Sequence, residues 1–444
     1  MITQTKKIIR DLGNGLVLRH GSSEDAEALA LFNGRIHGDD EEDGLRIVAW
    51  TRDLLTRPHP TLKPEDFTVV EETSSGRIVS SLNLILQTWS YEGIEFGVGR
   101  PELVGTLPEF RDRGLVRLQF EEMHKWSAER GHMVQAITGI PFYYRQFGYE
   151  MAIDLDGRRY GYEAHVPKLK DGEQEPYHVR VAQTADLPFI AKTYAEIRKR
   201  NLIVCERTPE IFRYELGSQD IENAFAVARV IEDKTGEPVG YLKHLNFIGN
   251  GNLSLVFYEL KAGASWLDVT PAVVRYLWQT GQEYAKRAGK TCTSFGFALG
   301  EQHPAYEAIK DRLPDVRGSY AWYIRVPDLP GFLHHIKPVL EKRLAESIAK
   351  GDSREILINF YRTGLRLVIE NGQIKTIESW KPNPYPDSGH IAFPNLTFLQ
   401  MLFGYRSYEE IHYAFPDCWC DDERVRVVLN ILFPKKTSNI YPIA

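Results

Sequence analysis

The chain has 444 residues, 43% of them hydrophobic, and a formal net charge of −6. That length exceeds what one hydrophobic core usually serves, so three units are expected, and the lack of a basic excess argues against a nucleic-acid partner. No apolar stretch approaches the roughly 20 residues needed to cross a bilayer, residues 1–10 lack the apolar run of a signal peptide, and Cys205, Cys292, Cys418 and Cys420 are too few for a disulfide framework; a cytoplasmic protein with no membrane partner is expected.

The first unit, residues 1–155, reads as α/β. Residues 16–19 alternate as a strand, and 22–32 carry an amphipathic helical pattern that Ser22 or Ser23 can cap. The acidic run Asp39-Asp40-Glu41-Glu42-Asp43 follows, read either as a solvated loop or as an attractor for a polycationic acceptor. Strands at 67–72 and 77–87 are joined through Thr73-Ser74-Ser75-Gly76. Trp50, Trp89, Tyr91 and Phe96 suit either an aromatic, cation-binding wall or the core.

Residues 103–149 carry most of the functional information. Leu103-Val104-Gly105-Thr106-Leu107 reads as a strand closed by Pro108, which lacks a backbone donor. Arg111-Asp112-Arg113-Gly114-Leu115-Val116-Arg117 then leads into a helix whose apolar face includes Leu118, Phe120, Met123 and Trp126. This puts Gly114 at a helix entrance, where unpaired N–H groups and the positive end of the helix dipole suit a diphosphate and three arginines add charge. A second strand at 133–137 and a short aromatic helix, Pro141-Phe142-Tyr143-Tyr144-Arg145-Gln146-Phe147, ending at Gly148 complete the segment.

A second unit, residues 176–315, repeats this order: strand 178–181, helix 187–199, strands 224–231, 240–245 and 253–260, helix 270–288. In place of the arginine-glycine turn it has Lys261-Ala262-Gly263-Ala264-Ser265-Trp266-Leu267, so a scaffold without a cofactor site is expected. The last unit, residues 320–444, begins with a helix carrying Ile336, Val339, Leu340 and Leu344. Strands follow at 355–359, 364–370 and 373–379, the last two joined by an Asn371-Gly372 hairpin turn. Cys418-Trp419-Cys420, followed by Asp421, Asp422 and Glu423, lacks the paired ligand clusters of structural zinc, and no metal is expected. The acids suit the start of a helix.

In order and spacing, residues 103–149 resemble the GNAT superfamily of acetyl-CoA-dependent N-acetyltransferases. That family's pyrophosphate loop, Gln/Arg-x-x-Gly-x-Gly/Ala, is matched by Arg111 and Gly114 and departs at Val116; its late Phe/Tyr-Tyr-x-x-x-Gly-Phe/Tyr is matched by Tyr144, Gly148 and Tyr149. The Eis-like branch tolerates a larger residue at the departing position. The resemblance implies two tandem GNAT-like mixed α/β units followed by a sterol-carrier-protein-like α+β domain. It also implies acetyl-CoA as co-substrate, a small-molecule primary amine (polyamine, aminoglycoside or lysine-type) as acceptor, direct attack without an acyl-enzyme, and a homo-oligomer, hexameric or smaller. In this resemblance Val104, Gly105 and Thr106 meet the pantetheine arm, Arg111, Asp112, Arg113, Gly114, Leu115, Val116 and Arg117 hold the pyrophosphate, and Gly139 and Ile140 add contacts. Tyr144 protonates the leaving sulfur. The base is either the terminal carboxylate of Ala444, implied by the Eis-like branch, or Glu102, which strand alternation puts on one face with Val104 and Thr106. The alternative is a lipid- or partner-binding protein without catalysis on the same scaffold.

Overall fold

The computed structural model describes residues 7–217, 226–383, 388–394 and 396–443. The N-terminal sheet contains β1 (Ile8–Gly13), β2 (Leu16–His20), β3 (Phe67–Glu72), β4 (Arg77–Tyr91), β5 (Ile94–Thr106), β6 (Val134–Ile137) and β7 (Glu150–Leu155), with helices α1 (Ala26–His37), α2 (Glu41–Thr56) and α3 (Leu115–Glu129). β1 to β5 pair antiparallel in chain order, and β5 pairs parallel with β6, a connection that needs a crossover, here α3. Alternation along β4 decides which helices cover which face. Leu82 and Leu84 meet Phe120, Met123 and Trp126 of α3, while Val79 and Ile85 join Leu29 of α1 and Leu54 and Leu55 of α2.

Two distant segments complete this sheet. Tyr320–Arg325 inserts antiparallel between β6 and β7, and Ile203–Cys205 pairs with the end of β4. The sequence assigned Tyr320 to the last unit because the strand pairs with residues about 180 positions away, which no local pattern encodes. Conversely, Arg158–Tyr162 leaves the first sheet and pairs with Ser294–Ala298 of the second.

The second sheet repeats the plan of the first, with Asn252–Leu260 parallel to Ser294–Ala298 across the helix Trp266–Ala288. The repetition extends to ion pairs. Arg19 pairs with Asp25 and Glu71, at separations of 6 and 52 residues, and Arg180 pairs with Asp186 and Glu232 at the same separations. Each arginine ties a strand to the turn that opens the following helix.

The third sheet is built from Arg354–Asn359, Gly364–Glu370 and Gln373–Trp380, with Ile391–Ala392 and Trp419–Cys420 at one side. Asn371 and Gly372 take the expected turn at φ 52° and 75°. Helix Leu329–Ala345 buries Phe332, Ile336, Leu340 and Leu344 against both this sheet and the first. Trp89, Tyr91 and Phe96 are therefore core residues, packed edge-on against Trp322 and Phe332. Cys205, Cys292 and Cys418 are buried, and among the described residues no three potential metal ligands converge. Asp422 caps the helix Glu423–Leu432, its carboxylate accepting the backbone N–H groups of Arg424 and Val425 at 2.9 and 3.3 Å. No described helix is long and apolar enough to cross a membrane.

Candidate active site

β5 and β6 hold register only at Val98–Val134 and Gly99–Gln135; beyond these pairs the strands splay. The gap opens into a cavity of about 310 Å³ lined by His37, Asp43, Ile47, Trp50, Glu102, Val104, Gly139, Ile140 and Tyr144, among others. Several of the expected site residues thus meet at one place, although Glu102 and Tyr144 lie far apart in sequence.

A bulge in β5 shapes the near wall. Register along β4 passes from Ser81–Gly105 to Asn83–Glu102, so Leu103 and Val104 together stand opposite Leu82, and Leu103 adopts φ 51°. The extra residue interrupts the ladder and leaves backbone polar groups of this segment for another partner. It also corrects the alternation inferred from sequence. Leu103 packs with the α1–α2 cluster, whereas Val104 packs beside Phe120 of α3, and the Thr106 hydroxyl meets Ser80 Oγ at 2.7 Å. Glu102 is therefore separated in facing from Thr106, although Glu102 and Val104 still line the same cavity.

Gly114 and the arginine turn do not line this cavity; Gly114 is the N-cap of α3 with φ 71°, a left-handed conformation that costs an L-residue about 1 kcal/mol. Nothing lies within 4 Å of where its side chain would be, so the entrance of α3 faces open space. Asp112 shares the left-handed conformation at φ 62°. Arg111, Arg113 and Arg117 surround the entrance and are exposed; their nearest ties are to the Thr106 and Glu109 carbonyls at 3.4 and 3.1 Å and to Gln146 Oε1 at 2.8 Å. Val116, the departing position, is partly buried beside Phe120, so its side chain points into the core and leaves the helix-entrance N–H groups accessible.

Tyr144 comes from a 3-10 turn, Tyr143–Phe147, closed by Gly148 at φ 84°. Its ring is 3% exposed, yet its hydroxyl bonds to no described residue and approaches the end of β6, 3.7 Å from the position a Cβ at Gly139 would take. Burial, reinforced by the Glu102 charge, raises its pKa and keeps the phenol protonated. Tyr143 instead packs against Phe147 on the α3 side. From the inserted strand, Tyr323 sits edge-on to Tyr144 at 5.7 Å and accepts the backbone N–H of Phe142 at 2.6 Å, fixing the turn from the far side.

Glu102 is ion-paired with Arg100, and Arg100 also donates to the Ile443 carbonyl at 2.8 Å, as does Gln87 at 3.0 Å. One step upstream, the buried Arg207 donates to the Tyr441 and Pro442 carbonyls at 2.8 and 3.2 Å while paired with Glu215, which also binds Lys243 at 2.6 Å. Within the tail Ser438, Ile440 and Ile443 are buried, Tyr441 and Pro442 are partly buried, and the segment is held by both halves of the molecule. Ala444 lies outside the described residues.

The acidic run forms the start of α2, not a loop. Asp40 caps the helix by accepting the Asp43 N–H at 2.8 Å, and Glu42 pairs with Arg46 and Lys290. Acidic residues at this end are favoured by the helix dipole. Of the run, Asp43 lines the cavity, and of the four aromatic candidates Trp50 alone does so. His37, Arg100 and Tyr323 escaped the sequence reading because none belongs to a motif.

In the second unit, His303 and Tyr306 pack across the ends of the equivalent strands and line one side of a cavity of about 520 Å³. His303 Nε2 meets the Tyr258 carbonyl at 3.0 Å, Trp266 and Tyr306 pack against its ring, and the Tyr306 hydroxyl bonds Leu299 N–H and the Phe297 carbonyl at 3.1 and 3.0 Å.

Residues 22–152 match the acetyltransferase (GNAT) domain family. No curated protein matches the chain in sequence. Among solved structures, a probable N-acyltransferase from Enterococcus faecalis V583 is similar at a TM-score of 0.64 and 12% identity, over 97% of this chain and 100% of that one. A GCN5-related N-acetyltransferase from Kribbella flavida gives 0.60 and 16% over 96% and 97%. Eis1 from Mycobacterium abscessus gives 0.60 and 12% over 96% and 98%. The likeness extends over nearly the whole length of each, so the tandem arrangement is shared as well as the first unit. A match to the GNAT acetyltransferase domain over residues 22–152 is thus set in a chain whose whole fold is similar to that of Eis1 and of the GCN5-related N-acetyltransferase.

Proposed function

We propose that the cleft between β5 and β6 transfers an acetyl group from acetyl-CoA to a primary amine of a small cationic molecule. The observation that carries this is the convergence on one cavity of the bulged strand, the end of β6 and a buried tyrosine whose hydroxyl no described residue engages, with the glycine-capped α3 entrance following the same strand outside the cavity lining. Bound acetyl-CoA supplies the activated thioester. The residues present fit it: α3 offers unpaired N–H groups and three exposed arginines for the pyrophosphate, and Val104, Gly105 and Thr106 offer backbone for the pantetheine arm. Gly139 and Ile140 form the opposite lip.

Tyr144 holds a proton for the departing thiolate. Trp50, Asp43 and Glu102 make the acceptor side aromatic and acidic, which favours an aminoalkyl cation over a neutral amine. Anchoring of Ile443 by Arg100 and Gln87 supports delivery of the terminal carboxylate of Ala444 to the same cavity, with Glu102 as the second candidate base. The lack of an arginine-glycine turn at residues 261–267 of the second unit supports a single cofactor site per chain. A division into units 1–155, 176–315 and 320–444, the last a sterol-carrier-like scaffold, belongs to the same proposal.

Acetyl-CoA-dependent thiol release, measured with polyamines, aminoglycosides, lysine and simple monoamines, tests the proposal. Release that requires an amine and favours polycations is expected. Release without amine dependence, or none with any acceptor, would overturn it.

A further inference from the structure

One polar group on the acceptor side has no task in the chemistry above. His37, the last residue of α1, lines the same cavity as Glu102, Val104, Gly139 and Tyr144, and its Nε2 is buried without a hydrogen-bond partner among the described residues. Buried polar atoms are nearly always paired, so an unpaired one on a residue that lines a cleft points to a ligand that completes it.

The backbone is packed to hold the ring there. A Cβ at Gly105 would lie 3.2 Å from His37 Nε2 and 2.8 Å from Ile36 Cγ2, so the end of α1 sits directly on the bulged strand. A Cβ at Gly38 would lie 2.6 Å from the Cα of Gly44, so the α1–α2 corner closes on bare backbone. These contacts fix the ring before any substrate arrives. Its apolar neighbours Ile36, Ile47 and Leu103 need no imidazole for packing. Burial holds its pKa below the usual histidine value, with the Glu102 charge and the Leu103 carbonyl offsetting this in part, so the ring is neutral at neutral pH. The other ionisable groups facing the cavity are Glu102, Asp43 and Tyr144, with Arg100 behind Glu102.

We propose that His37 is a catalytic residue of the acceptor half of the site, taking the proton that the incoming ammonium must shed before it can attack. The proposal rests on the acetyl transfer proposed above. The ammonium gives one proton to His37 Nε2, and the freed nitrogen pair forms a C–N bond to the thioester carbonyl carbon. The C–S bond breaks, its electron pair goes to sulfur, and sulfur takes the Tyr144 proton. The new amide nitrogen sheds its surplus proton to the carboxylate base proposed above, His37 and that base release theirs to solvent, and Tyr144 recovers one, so one proton leaves per turnover.

The test compares the full-length chain with His37→Gln, which keeps polar volume without a titrating ring, and with His37→Ala, which opens space. Thiol release is followed at saturating acetyl-CoA with an amine the unmodified protein acetylates. General-base catalysis typically contributes 10²–10⁴-fold, so His37→Gln is expected to lose about 100-fold in kcat while its KM for acetyl-CoA stays within about threefold. Added imidazole is expected to restore part of the His37→Ala rate, which a merely structural role would not allow. A His37→Gln protein within about threefold of the parent kcat would overturn the proposal, whatever the alanine variant's fold. Should the parent acetylate no amine at all, acetyl transfer itself fails and His37 falls with it, an outcome distinct from an active parent with an indifferent histidine.

Discussion

Glu102 and the Ile443 carbonyl are joined by one guanidinium: Arg100 donates to both from the two arms of its fork. The two candidate sources of a catalytic base, the strand and the tail, are therefore held by the same residue. Arg100→Gln is expected to lower kcat at least as much as Glu102→Gln and to destabilise the fold by about 3 kcal/mol, because a buried pair loses one partner. Parallel kinetics and denaturant melts on the two variants check this; an Arg100→Gln protein with parental kcat would show that neither group needs the fork.

The tail gives a second prediction. Gln87, Arg100 and Arg207 fasten Tyr441, Pro442 and Ile443, the last described residues. Two residues appended after Ala444 should therefore cut turnover about tenfold or more while leaving the melting temperature nearly unchanged, since exposed chain ends contribute little stability. Full turnover in the extended chain would remove the terminal carboxylate from the mechanism and leave Glu102.

Tyr144→Phe should reduce kcat by about 10²–10³-fold with little change in the KM for acetyl-CoA, as expected when a proton donor is lost and binding is kept. Tyr143→Phe, whose ring packs on Phe147 away from the cleft, should stay within about threefold of the parent. Equal losses in the two variants would contradict this division of roles.

At the entrance of α3, Gly114→Ala introduces no clash, since its surroundings are empty, but forces a side chain into the left-handed region at a cost of about 1 kcal/mol. The KM for acetyl-CoA should rise, and Arg111→Ala, Arg113→Ala and Arg117→Ala should raise it further, less so at high salt because these side chains are exposed. Isothermal titration with coenzyme A at two salt concentrations separates the charge effect from the backbone effect.

Stability should fall as pH drops from neutral. His244, buried with Nδ1 near the Leu245 carbonyl and Nε2 near the Tyr276 hydroxyl, is pushed down to about 4 by burial, and His132 likewise to about 4. Between about pH 6.5 and pH 4 the unfolded chain binds protons that these folded histidines refuse, so stability is lost through that window as pH falls. Asp154, pushed up to about 6 by burial, works in the opposite direction below pH 6 and only partly offsets it. Thermal melts should show a lower Tm at pH 5 than at pH 7, with a shallower difference in His244→Gln. An unchanged difference in that variant would assign the pH response to other groups.

Local chemistry made the backbone around the proposed cofactor site legible: Pro108 ended the strand, Gly114 marked a helix entrance, and Gly148 closed the aromatic turn, each through a backbone property written in one residue. Asn371-Gly372 announced its hairpin in the same way. What escaped depended on distance or on a count. The bulge at Leu103 shifts facing without any breaker residue, so alternation misplaced Glu102 relative to Thr106. Tyr323 and Arg100 act through partners more than 180 and 340 residues away. The acidic run looked like a loop because five acids obscure a helical period, yet its position suits a helix start. The paired separations of Arg19 and Arg180 were present in the sequence as a repeat signal, at fixed spacings of 6 and 52, and were more diagnostic of duplication than the order of strands and helices.

A crystal structure of the chain with coenzyme A bound is the most direct test that residues 22–152 form the one acyl-CoA site. The expected result places the pyrophosphate on the backbone N–H groups that follow Gly114 and the sulfur within about 4 Å of Tyr144 Oη, near enough for a short shift to make the hydrogen bond. Coenzyme A seated at the His303 opening of the second unit, or a sulfur remote from Tyr144, would contradict it.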